Sequence, residues 1–357
     1  MKANSLFLSL ILVGSGAAIA HEAPIHEHAE LVPIPAYNTE VKANAKNSLI
    51  ALTALLETFS PDAKEQVSFN LDSRERHRWS NLPAGRTARP GVSFGEMSDD
   101  QRNLLFAFLS ASLGEAGYQS VAKVMAAEAY LAADSRSGRM SWSPEIYWLS
   151  VYGTPSNTGR WAWAFGGHHL ALNISMDNGV VTSMSPSFVG SEPARFTLNG
   201  IEYDVITDMH EAGYAIYKTL SGEQKQQATL SRFPRSLAVG ANKDAVVPVP
   251  VGISLKEMNE DQRELALDAI YHWISHQPDE NALPRMQEIA SQLDQTFFGW
   301  YGELSINSRS YFRIQGPSLI IELQGGLGNV GSSADGLGHY HTIYRNPTFD
   351  YGEAGRN

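Results

Sequence analysis

"GVSFGEMSDDQR" (residues 91–102) returns 161 positions later as "GISLKEMNEDQR" (residues 252–263), with seven of twelve positions identical and Val/Ile, Phe/Leu, Ser/Asn and Asp/Glu exchanges among the rest. Each stretch reads as the start of a helix. Ser98 or Asn259 is the N-cap, acidic residues occupy the first turn beside the positive end of the helix dipole, and Gln101 or Gln262 stands where it can return a hydrogen bond to the cap. Two copies of one helix start predict an internal repeat.

Working outward, "VYGTPSNTGRWAWAFGGHHLALN" (151–173) lies without gaps on "WYGELSINSRSYFRIQGPSLIIE" (300–322) at an offset of 149, and "SPSF" (185–188) on "NPTF" (346–349) at 161 again. The second copy is therefore 12 residues shorter in its middle and regains them in the Gly-rich loop "GGLGNVGSSADGLG" (325–338). The competing reading is two similar helix caps followed by similar hairpins. Each unit is expected to hold two helices, at 98–112 and 117–133 or at 259–275 and 281–292, followed by an antiparallel meander. Alternation such as Trp161, Trp163, Phe165 and branched runs such as "LIIEL" place the strands at 145–152, 160–165, 168–174 and 179–184, then at 295–303, 309–314, 318–323 and 339–345.

The expected fold class is α+β, with two pseudo-equivalent helix-helix-β-meander units forming one composite antiparallel-sheet domain over 38–357. Unit one covers 91–188, an insert 189–251, and unit two 252–349. The insert should contain a helix near 207–219 and a second one capped by Ser221, before the Pro-containing linker "AVVPVPVG". Residues 38–59 should form an amphipathic helix.

The chain opens "MKANSLFLSLILVGSGAAIA", a basic residue, an apolar run and an A-x-A pattern ending at Ala20. This is the pattern of a secretory signal peptide (1–20), so the expected location is periplasmic or secreted. No run approaches the roughly 20 apolar residues of a membrane span. There is no Cys, which leaves only N and O ligands for any metal. The formal net charge of −11, or −12 once Lys2 is removed, argues against nucleic acid as a partner. Residues 21–37, with His21, His26 and His28, read as a flexible, metal-scavenging tail, and a copper brace at His21 is the alternative.

Chemistry-bearing residues gather in the two meanders. In "FGGHHLALN" (165–173) strand alternation would put His168 with Leu170 and Leu172 on one face, and His169 with Ala171 and Asn173 on the other. Asn173 aligns with Glu322, a carboxylate inside the aliphatic "LIIELQ", and a buried charge needs a partner or a metal. "HYHTIYRNPTFDYG" (339–352) sets His339 and His341 two apart, on one strand face, a geometry suited to chelation. Convergence of the two halves would give a centre with His169, His339 and His341 as ligands. Within it His168 would be a fourth ligand or acid/base, Glu322 a ligand or base, and Arg313 an anchor for an anionic substrate group. Trp79 in "RWSNLPAGRTARPG" (78–91), Trp161, Trp163, Asn173, Tyr344 and Arg345 are the candidate substrate contacts. For Arg345 the competing reading is a bridge to Asp350 that locks the C-terminal segment. Arg160 and Arg309 occupy equivalent strand starts. No H-E-x-x-H helix, P-loop, dinucleotide fingerprint or nucleophile elbow is present in the sequence.

Taken together, W-x-F-G-G-H-H-L-x-x-N (163–173), "RWSNLPAG" (78–85), "FRIQGPSLIIE" (312–322) and "HYHTIYRNPTFDYG" resemble a family of bacterial and fungal proteins catalogued as a domain of unknown function, many of them with export signals. The resemblance spans roughly 40–352 and implies one domain, with no reaction attached. Where the family pattern has Asp after the Arg of the last motif, this chain has Asn346.

The leading expectation is an exported metal-dependent enzyme, hydrolytic rather than redox, with a divalent ion: zinc first, copper or iron as alternatives. Its substrate would be a small molecule, a peptide or a sugar. A non-catalytic metal-binding or metal-delivery protein is the second reading. A metal-free ligand-binding module, with the tryptophans as an aromatic platform, is the third.

Overall fold

The computed structural model describes residues 25–26, 31–134, 142–244, 246–303, 308–326 and 338–353. The expected leader, His21, His28 and most of the Gly-rich loop lie outside the described residues. In chain order β1 (Ile25–His26), α1 (Ala45–Glu57), α2 (Pro61–Val67) and β2 (Ser68–Phe69) come first. The first half continues with β3 (Val92–Ser93), α3 (Asp99–Ser112), α4 (Glu115–Ala133), β4 (Tyr147–Tyr152), β5 (Arg160–Gly167), β6 (Leu170–Asp177), β7 (Val180–Ser183) and β8 (Ser187–Ser191). Between the halves lie β9 (Arg195–Leu198), β10 (Ile201–Asp204), α5 (Thr207–Thr219) and α6 (Gly222–Ala228). The second half holds β11 (Ile253–Ser254), α7 (Glu260–Ile274), α8 (Asp279–Ser291), β12 (Phe297–Gly302), β13 (Ser310–Gly316), β14 (Leu319–Gly325) and β15 (Tyr340–Arg345).

The two opening stretches fold alike. Ser98 and Asn259 each cap their helix in a reciprocal box with Gln101 and Gln262. The amides of those glutamines then reach the carbonyls of Thr58 and Thr219. Gly91 and Gly252 both have positive φ, and a Cβ on either would fall 2.0 Å from a strand carbonyl, that of Leu149 or Phe298. Glycine is required at both for the same steric reason.

A 12-stranded sheet runs β11-β12-β13-β14-β15-β8-β6-β5-β4-β2, with β3 on β4 and β7 on β6. It is mixed rather than wholly antiparallel, because β2 pairs parallel to β4. The hairpins keep one register at the expected offset of 149: Leu149 pairs Phe165 as Phe298 pairs Ile314, and Ala164 pairs Asn173 as Arg313 pairs Glu322. Pairing of β15 with β8, including His341 with Gly190, makes the sheet continuous across both halves. A small sheet β1-β9-β10 stands apart, and β1 pairs parallel to β9. From Leu31 onward the segment expected as a loose tail lies against the core: Leu31, Val32, Ile34 and Tyr37 pack on it, and Pro35 accepts a hydrogen bond from Tyr118.

Alternation assigns the two sheet faces. Trp161, Trp163, Leu172, Phe312, Ile321 and Leu323 join the helices in the larger core. The opposite face, with Ala171, Phe188, Tyr311, Ile320 and Ile343, is covered by irregular segments that bring Trp79, Leu237, Val239 and Tyr351. Among the described residues no helix is long and apolar enough to cross a membrane.

Candidate metal centre

The β15–β8 seam is where the histidines meet. His168 and His169 are the two residues between β5 and β6, not members of a strand, and His169 sits in the left-handed region at φ 58°. A non-glycine residue there is uncommon, and His is among those that tolerate it. The expected opposite faces therefore do not apply: the two imidazoles stack, with centroids 3.6 Å apart. The turn sends His169 across β8 toward the second half.

There His169 Nε2 lies 2.9 Å from His339 Nε2, which in turn lies 2.9 Å from His341 Nε2. An imidazole nitrogen offers one in-plane direction, either an N–H or a lone pair, so His339 Nε2 cannot form two linear hydrogen bonds at once. Burial holds His169 well below its ordinary pKa, helped by the neighbouring imidazoles, and the same causes lower His341. Rings turned inward by their Nε2 atoms form a set of nitrogen donors that could hold one cation. Gly190 makes the approach possible. A Cβ there would lie 2.7 Å from His169 Cδ2 and 3.0 Å from His341 Cδ2.

Two buried carboxylates back the rings. Glu128, on α4, contacts His168 Nδ1 closely and stands 3.9 Å from His169 Nδ1. Glu192, following β8, approaches His339 Nδ1 to 3.5 Å. Carboxylates behind metal-ligating imidazoles fix ring orientation and raise basicity. Neither residue is among the candidates drawn from the sequence above. Glu128 was visible as a lone acid inside "VMAAEAYLAA" (124–133), the same kind of signal that drew attention to Glu322.

The remaining candidates divide. Glu322 is not at the centre: its carboxylate accepts the backbone N–H groups of Ala238 and Val239 at 2.9 and 2.8 Å and the Tyr311 hydroxyl at 2.5 Å. Those three donors are the partners its burial demands, and burial plus the adjacent carboxylate hold the Tyr311 hydroxyl protonated. Trp161 and Trp163 are buried under the helices, with Trp163 edge-on to Phe108, so no aromatic platform is formed. Tyr344 accepts from Arg285 on the helix side. Trp79 packs on Phe188 and donates to Tyr351. Asn173 donates to the Pro186 carbonyl. Arg345 bridges Asp350 and Asp244, the locking arrangement. Arg313 donates to the Val249 carbonyl, while its Nε is buried without a partner.

His341 also lines a cleft whose other polar residues are Asn81, Arg235, Ser236, Lys243 and Gln324. The cleft encloses about 310 Å3. That is at the lower end of the range of small-molecule sites.

Fold and site together define an α+β protein with a candidate His-rich metal centre at the junction of two sheet halves. The chain belongs to the family described as Protein of unknown function (DUF3500), whose model matches residues 42–353. No curated protein and no solved structure matches it.

Proposed function

We propose that the chain is an exported metal-dependent hydrolase whose divalent ion, zinc in the first instance, is held by His169, His339 and His341. The observation that carries this reading is the convergence of three Nε2 atoms, one from the first half and two from the second. A three-His centre leaves a coordination position open, and a bound ion would supply a water of lowered pKa there. His339 and His341 are half-buried and His169 is fully buried, so access to the centre is from the His341 side, where the cleft lies. Glu192 stands behind His339, and Glu128 holds His168, whose ring stacks on His169. The His168–Glu128 pair, stacked behind His169, is the neighbouring acid–base candidate.

The test is metal content of protein purified without a polyhistidine tag, for the native chain and for His341→Ala. The expected result is about one equivalent of zinc in the native chain, strongly reduced in the variant, together with chelator-sensitive cleavage of simple ester or amide substrates. If no metal co-purifies or binds at micromolar levels, the proposal fails. One equivalent of metal without any hydrolysis would instead identify a metal-binding protein.

A further inference from the structure

We propose that the strap of residues 230–243 and the sheet beneath it form a groove for a small polyanionic substrate, presented to the metal centre through Arg235 and Lys243. The inference deepens the hydrolase reading and rests on it for the position of the reacting centre. The chain carries 38 acidic against 27 basic residues, yet none of the residues lining the His341 cleft is acidic. Its charged residues are Arg235 and Lys243. Lys243 Nζ is fixed by the Ser236 hydroxyl at 3.0 Å and the Leu237 carbonyl, and neither partner neutralises its charge.

On the far side of Arg235 a second cavity adds Arg232 and Arg313, again with no acidic lining residue. The two cavities adjoin: both include Arg235, and Tyr311 of the second pairs across the sheet with Gln324 of the first. Arg313 is buried, and its Nε has no hydrogen-bond partner. Glu322 stands opposite Arg313 in the sheet and offsets its charge, while its oxygens accept from Ala238, Val239 and Tyr311. Arg232, Arg235 and Lys243, with Arg313 offset by Glu322, leave the groove of an acidic protein with an excess of positive charge complementary to anions. Guanidinium groups match carboxylate and phosphate oxygens in pairs, so a substrate carrying at least two such groups fits.

Calorimetric titration of the full-length protein with pyrophosphate and with tricarballylate, against neutral glycerol, tests the proposal. At least one anion should bind, and binding should weaken steeply between low and high salt because exposed charges are screened. Arg235 is exposed, so Arg235→Gln should fold normally and lose about tenfold or more in affinity, with recovery in Arg235→Lys. Binding of pyrophosphate alone points to phosphate substrates, and of tricarballylate alone to carboxylates. Absence of binding by both at millimolar concentration, or affinity unchanged in Arg235→Gln, overturns the groove. Repeating the titration on His169→Asn separates the two ideas: anion binding that survives metal loss leaves the groove standing even if the metal reading fails.

Discussion

The β5–β6 hairpin of the first half and the β13–β14 hairpin of the second share register residue for residue, yet their two-residue turns differ: His168–His169 in one, Pro317–Ser318 in the other. Each turn is gripped by a buried charged residue from the second helix of its own half. Glu128 of α4 holds His168, and Arg285 of α8 bonds the Ser318 hydroxyl at 3.1 Å. In the second half Ser318 also bonds Gln292, and these hydrogen bonds fix the turn to its helix. In the first half the turn carries two imidazoles, and one of them reaches the opposite half. One backbone frame thus serves packing on one side and donor placement on the other.

The contrast is sharpest at Asn173 and Glu322, which occupy equivalent pairs with Ala164 and Arg313. Replacing Glu322 with Leu strands two backbone N–H groups and a Tyr hydroxyl, each costing about 1–3 kcal/mol when buried unpaired. Denaturant unfolding should show a loss of about 3–5 kcal/mol. Asn173→Leu removes one hydrogen bond and should cost about 1 kcal/mol. Equal losses would mean that the Glu322 carboxylate is not the internal acceptor described.

His169→Asn keeps a residue tolerant of positive φ and deletes one nitrogen of the proposed metal set. Metal affinity should fall by at least the roughly 10–100-fold typical of losing a mere supporting group, with the thermal midpoint of the metal-free protein little changed. Gly190→Ala approaches the same outcome with every ligand present, because its methyl group would push His169 and His341 apart. Titration with zinc in the presence of a competing chelator reads both. Native-like affinity in either variant would remove the seam from consideration as the metal site.

On the helix side the halves touch where His276, after α7, accepts the Gly114 N–H with its carbonyl and meets Ser120 with its ring. Burial lowers the His276 pKa to about 4, assisted by His272 and Lys123. The folded state therefore excludes a proton that the unfolded chain binds below about pH 6.5. Stability from this group is complete above that pH and falls progressively as the pH drops toward 4. Unfolding free energies from urea titrations at pH 7 and pH 5 should differ by about 2 kcal/mol from this residue, and the difference should shrink in His276→Asn. An unchanged pH dependence in that variant would place the acid sensitivity elsewhere.

Much of this organisation was legible in the sequence. Capping residues and alternation act locally, so α3, α7 and the strands of both meanders follow from their own residues. The repeat alignment gives a reason for distant strands to meet, and His169, His339 and His341 lie together where they do. The turn at His168 was not legible: period-2 alternation continues smoothly through "FGGHHLALN", and nothing local marks a left-handed His. Glu322 and Glu128 show the deeper difficulty. Both were acids in apolar runs, and the rule that a buried charge needs a partner holds for both. The partner itself comes from tertiary structure: a strap amide for Glu322 and an imidazole turn for Glu128.

The smallest effect is expected where the halves agree. Ser98→Ala and Asn259→Ala each remove a side-chain acceptor at a helix start whose reciprocal Gln is otherwise intact. Each should cost about 1 kcal/mol in denaturant unfolding, the usual worth of such a cap. Similarity of the two values carries the meaning, since Gln101 and Gln262 make the same second contact, to Thr58 and Thr219. Gln262 also exchanges hydrogen bonds with Gln224, a link for which the first stretch has no counterpart. Asn259→Ala should therefore be the costlier of the two by a few tenths of a kcal/mol, in keeping with the non-additivity of residues that share a network. A much larger gap would show that the second cap has become part of the α6–α7 network and is no longer the equivalent of the first.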